Sequence, residues 1–163
     1  MKTAVIVGNP KPKSRTLDAA LLVARKLTGA EPDMVVDIVD LGPGLLGWGD
    51  IGVADSVRAI QRMDILIVAS PTFKATYTGL LKLYLDQFPT DGLAGVTAFP
   101  LMLGAGPAHA MAPDYLLKPV LVELGASCPA SGLYLIDKSF AEDPRLDAWI
   151  ERASPLLPRA MAA

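Results

Sequence analysis

Five short apolar runs, rich in β-branched residues, alternate with longer stretches whose apolar positions recur at helical spacing. The runs are 3–7 (TAVIV), 34–41 (MVVDIVDL), 64–70 (DILIVAS), 95–103 (GVTAFPLML) and 128–136 (CPASGLYLI). Between them lie helical patterns over 16–27, 52–62, 79–88 and 114–124. A last helix follows Asp143, with Asp143 as its cap and Pro144 at its first position. Gly29 is the expected stop of the first helix, and 42–50 (GPGLLGWGD) reads as a glycine-rich loop. Within the fourth run Pro100 is the awkward member, because it has no N–H to give a sheet. Strict alternation of strand and helix predicts a parallel sheet with helices on both faces. The third run is apolar throughout, as a strand covered on both sides must be. In such sheets ligands sit beyond the carboxyl ends of the strands. Three unusual loops, 8–16, 70–78 and 103–113, each follow a strand, so all three open on that one edge.

Length and composition narrow the class. A chain of 163 residues, 52% apolar and 20% charged, suits a single domain over 1–163 with a sizeable core. Lys and Arg number 15 against 17 Asp and Glu, which argues against a broad nucleic-acid or membrane surface. Any basic site must be local. Cys128 stands alone, so no internal disulfide forms, and it is expected to be a small buried residue. No run approaches the roughly 18 apolar residues of a membrane span. The first apolar run is too short for a secretory signal, so a cytoplasmic location is expected.

The most local concentration of positive charge is the stretch VGNPKPKSRT, residues 7–16. It ends a strand and opens a helix, where unpaired backbone N–H groups already favour an anion. Ser14 and Thr16 add hydroxyls; Lys11, Lys13 and Arg15 add charge. Two readings fit: a terminal-phosphate pocket, or a solvated turn with Ser14 as N-cap. Neither common nucleotide fingerprint is present. A P-loop would need glycine at 13, where Lys13 stands, and the Gly104-Ala105-Gly106 start of a dinucleotide fingerprint meets His109 at its third position. A phosphatase C-x5-R loop would need arginine at 134, which is Tyr134. A phosphate-receiver domain would want an acid at the end of the third strand, which ends Ser70-Pro71.

Three motifs together carry a resemblance. GNPKPKSRT is similar to the G-S-P-R-x-x-S-x-[ST] loop of the NADPH-dependent FMN reductase family. ASPTFKATYTGLLKLYLDQFP resembles its P-x-Y-x-x-x-Y-x-G-x-L-K-x-x-L-D block. GAGPAHAMAPDYLLKPVLVELGA resembles the branch of flavin reductases that serve two-component alkanesulfonate monooxygenases. The match runs in order from residue 3 to about 135. It implies a flavodoxin-like fold with strand order 2-1-3-4-5, and FMN and NADPH (or NADH) as ligands. Asn9, Lys11, Ser14, Arg15 and Thr16 would hold the phosphate. The flavin ring would lie along Pro71, Thr72, Phe73 and Lys74 and under Gly104, Ala105 and Gly106, with His109 as a further contact. No side chain is assigned a catalytic role, because hydride moves between the nicotinamide and the flavin themselves. The branch further implies a homodimer or homotetramer and a partner monooxygenase that receives reduced FMN.

The chain departs from the family pattern in places. Asn9 replaces Ser, Lys11 replaces Arg, Phe73 replaces Tyr, and Ala105 and Pro107 replace Gly and a small or polar residue. Lysine offers charge without arginine's two-donor fork, which weakens phosphate grip. Pro119 deprives the Tyr115 carbonyl of its helical donor, so a kink or π-type bulge is expected there. In the similar branch a tyrosine at this place marks an inserted residue at a tetramer interface. Trp48, Tyr77, Tyr84, Phe88 and Met111 serve either subunit packing or the internal core. Alternatives sharing the fold are a flavin-retaining quinone or azo reductase and a flavodoxin-type electron carrier. The basic loop and the net charge of only −2 count against the carrier.

Overall fold

The computed structural model describes residues 1–158. Its parallel sheet comprises β1 (Thr3–Val7), β2 (Met34–Asp37), β3 (Ile65–Pro71), β4 (Thr97–Gly104) and β5 (Leu133–Ile136), in the order β2-β1-β3-β4-β5. Helices α1 (Arg15–Thr28), α2 (Ile51–Ile60), α3 (Gly79–Leu85), α4 (Lys118–Glu123) and α5 (Pro144–Ala153) cover both faces. This is the flavodoxin-like arrangement, and its strand order switches at β1 and β3.

The period-two alternation of β1 and β3 sorts the core into two halves. Ala4, Ile6, Leu66 and Val68 face the layer of α2, α3 and α4; Val5, Val7, Ile65 and Ile67 face α1 and α5. All eight are fully buried, and each large aliphatic among them contributes about 1.5–3 kcal/mol of burial. Tyr84 and Phe88 are core residues: their rings meet edge-on with centroids 5.5 Å apart. Burial pushes the Tyr84 hydroxyl up to about 12, although its bond to Ser56 pulls the other way. Tyr77 is half-buried, while Trp48 and Met111 are exposed. Cys128 is half-buried rather than buried, and desolvation pushes its thiol up to about 11.

Several ends differ from the sequence expectation. The second strand stops at Asp37, and residues 38–46 coil into 3-10 turns instead of continuing to 41. The reason lies in the neighbour: Val7, the last residue of β1, pairs with Asp37. Beyond that point the edge strand has no partner. The fifth strand starts at Leu133, not 128. Here Pro100 explains the gap. The Ala98 amide donates to Ser127 on the β5 side, so alternation aims position 100 the same way. Position 100 has no donor, and segment 128–132 leaves the sheet opposite it. A proline is thus accommodated in a central strand. The fourth helical pattern divides: Pro113–Leu117 form a π-helix, closed by the Lys118 N–H donating to the Pro113 carbonyl, and α4 follows. Gly29, with φ of 77°, and the Asp143 carboxylate cap their helices as expected.

Candidate active site

The first βα loop is held in shape by its own side chains. Ser14 is the N-cap of α1, its hydroxyl oxygen accepting from the Leu17 amide at 3.2 Å. Its O–H remains a donor for an anion. Asn9 ties the two ends together: its side-chain amide donates to Thr16 Oγ1 at 2.9 Å and its carbonyl accepts from the Lys11 amide at 3.0 Å. Ser14 and Thr16 are buried, whereas Lys11, Lys13 and Arg15 reach solvent. The Arg15 guanidinium lies 3.3 Å from the Asp137 carboxylate at the end of β5. The cap reading and the anion reading are therefore compatible, because one turn provides both.

The second loop is locked to the first. Thr78 Oγ1 donates to the Gly8 carbonyl at 2.5 Å and accepts from the Leu81 amide, while the Thr78 amide donates to Ser70 Oγ at 3.0 Å. The Thr72 amide donates to the Leu103 carbonyl at 2.6 Å, which joins the second loop to the third. Lys74 and Ala75 have positive φ (52° and 73°) where the loop turns back, held by the mutual backbone bonds of Phe73 and Thr76. The third loop rests on β5: the Tyr134 hydroxyl donates to the Gly106 carbonyl at 2.8 Å. A Cβ on Gly104 would lie 1.8 Å from that hydroxyl oxygen, so only glycine lets the ring pass beneath the loop. Replacing Tyr134 by Phe should cost about 1 kcal/mol of stability. It should also raise the flavin KM several-fold with kcat little changed, measured by steady-state kinetics beside a thermal melt.

The three loops enclose a cleft of about 420 Å³, lined by Asn9, Lys11, Lys13, Ser14, Arg15 and Thr16 on one side and by Pro71, Thr72, Phe73, Gly104 and Ala105 on the other. A second hollow of about 460 Å³ continues from Thr72, Gly104 and Ala105 to Gly106 and His109. Volumes of this order suit a mononucleotide with a second ligand beside it. Of the residues singled out in the sequence, Lys74 alone lies outside both linings; its side chain is exposed. Lys13, named in the sequence as one of the loop's cations, lines the cleft as well; Asp18, Leu103 and Asp137 were not named, yet they line it too. Asp137 directly follows β5, so the rule that strand ends line such sites points to it.

Among the described residues, the buried side-chain oxygens without a hydrogen-bond partner are Asp37 Oδ1, Thr72 Oγ1 and Asp137 Oδ1. Each belongs to a residue at or just beyond the carboxyl end of a strand. Buried polar atoms are nearly always paired, so a run of exceptions along one edge marks it as the place where a polar ligand docks. Burial holds the Asp37 carboxyl above its ordinary value, Asp40 adds to this, and the Lys13 backbone N–H offsets part of it.

Comparison with known proteins agrees with the geometry. The chain is 32% identical to an FMN reductase (NADPH) of Escherichia coli K12 over 141 residues, which cover 84% of this chain and 74% of that one. It is 28% identical to the NADH-dependent FMN reductase SfnF of Pseudomonas putida over 148 residues, covering 86% and 80%. The solved apo form of an NADH:FMN oxidoreductase superposes with a TM-score of 0.87 at 31% identity, covering 98% of this chain and 91% of the other. The sequence model of one family, NADPH-dependent FMN reductase, matches residues 1–141. With that match over most of its length, and with a cationic loop, a threonine and a glycine loop meeting at one sheet edge, the chain belongs to the NADPH-dependent FMN reductase family.

Proposed function

We propose that this chain, as one flavodoxin-like domain, is an NAD(P)H-dependent FMN reductase. The observation that carries the reading is the cleft itself: cations and hydroxyls at the start of α1 face Thr72 and the 104–106 loop across one mononucleotide-sized space. Lys11, Arg15, Ser14 and Thr16 would hold the phosphate, with Asn9 keeping the turn in shape. Pro71, Thr72, Phe73 and the Gly104–Gly106 loop would take the flavin ring, and the hollow reaching His109 leaves room for the nicotinamide. When bound, the flavin accepts a hydride from the nicotinamide. The protein's part is to align the two rings and to keep water out, and Tyr134 stiffens the loop that does so. Hydride transfer needs no side-chain acid at the reacting atoms, in keeping with a solvent-exposed His109 as the chain's single histidine.

Self-association and a partner monooxygenase extend this reading. Phe73, Met111, Tyr115 and Leu116 leave apolar surface exposed beside the cleft, and the π-helix turns Tyr115 outward, 69% exposed. Such a patch suits a homodimer or homotetramer interface. No helix among the described residues is long and apolar enough to cross a membrane. The purified protein should oxidise NADPH or NADH rapidly when FMN is added and negligibly without it, followed by loss of nicotinamide absorbance. Negligible turnover at saturating FMN with both nucleotides would overturn the reading.

A further inference from the structure

The cleft carries an acid where an anion is expected to bind. Asp137 follows β5, lines the cleft, and sets Oδ2 3.3 Å from Arg15. Its other oxygen is buried with no hydrogen-bond partner, and Arg15 is its one ion-pair partner among the described residues. A carboxylate placed like this depends on that arginine for its compensation. Meanwhile Arg15 is the one cation of the loop with a two-donor fork for a phosphate. The charged residues lining the cleft are Lys11, Lys13, Arg15, Asp18 and Asp137. Three cations against two carboxylates leave a single positive charge to meet a phosphate of about −2.

Resting on the FMN reading above, we propose that Asp137 sets how weakly the site holds FMN. It competes with the flavin phosphate for Arg15 and repels the phosphate directly, so that the mononucleotide binds and leaves instead of being retained. Binding FMN requires the Arg15 guanidinium to be shared between two anions or drawn from one to the other. Riboflavin has the same ring and ribityl chain but no phosphate, so the competition does not touch it. The role is one of setting affinity, not of chemistry.

The test is calorimetric titration of the full-length wild type, Asp137→Asn and Asp137→Ser with FMN and, separately, with riboflavin. The Asp137 backbone N–H, which donates to the Gly104 carbonyl, is retained in both variants. Both should bind FMN about tenfold more tightly than wild type with riboflavin affinity unchanged, and the KM for FMN should fall while kcat falls or holds. FMN binding no tighter than wild type in either variant would overturn the proposal. So would a parallel change for riboflavin, which would make Asp137 a ring or ribityl contact. If neither neutral variant folds, the carboxylate is a structural counter-ion and the proposal falls. Failure of the parent reading is distinct: wild type itself would then bind FMN no better than riboflavin.

Discussion

Replacing Arg15 by Ala should weaken FMN binding about 100-fold while leaving riboflavin binding within about twofold. Two losses add. A fork of charge-assisted hydrogen bonds to the phosphate disappears, worth about 1.5–3 kcal/mol. The Asp137 carboxylate, 3.3 Å from the guanidinium in the intact protein, then faces the phosphate with no cation between them. Each 1.4 kcal/mol is about a factor of ten, so the pair of effects reaches roughly two decades. Arg15→Lys should fall between, because lysine restores charge without the fork. Titration calorimetry with both flavins reads the result. Equal weakening of FMN and riboflavin would remove Arg15 from the phosphate site and place it against the ring or ribityl chain.

The Gly8→Ala substitution should lower stability by about 3 kcal/mol, an overpacking cost at the upper end of the usual span. For a chain of this size that is a fall in Tm of roughly 6–12 °C. Gly8 directly follows β1 and lies under α3: a Cβ there would stand 2.4 Å from Leu81 Cβ and 3.1 Å from its Cα. Neither atom is the free end of a side chain, so relief requires moving the helix. The same shift would disturb Thr78, whose hydroxyl donates to the Gly8 carbonyl and caps α3, and so would open the join between the first two loops. Gly47→Ala is the matched control. Its backbone is extended and nothing lies within 4 Å of its Cβ position, so its Tm should hold within about 1 °C. Equal melting of the two variants would show that α3 does not press on Gly8.

The fold was legible because its signals are local. β-branched runs of period two alternated with helical spacing, and parallel strands need crossovers of that kind. The caps at Ser14 and Asp143 and the left-handed Gly29 were legible for the same reason: each depends on a few neighbouring residues. Strand ends were not. β2 ends where its partner β1 ends, and β5 begins only past the place where Pro100 offers no donor. Both facts belong to the neighbouring strand, so no pattern within 34–41 or 128–136 could show them. The Pro119 argument did locate the backbone irregularity at Tyr115, because a missing N–H has a definite victim four residues earlier.

The site divides along the same line. The crowding of charge and hydroxyls into 9–16 is visible in the sequence by itself, and three strand-ending loops had to share an edge because parallel strands all point one way. Tertiary structure alone decided that Asp137 stands against Arg15, that the Tyr134 hydroxyl passes under Gly104 to hold Gly106, and that Lys74 lies outside the lining of the cleft. Those contacts join residues as much as 122 positions apart (15 and 137). Charge along a chain is a one-dimensional pattern, whereas the balance of charge in a cleft depends on which distant strand end the sheet brings beside it.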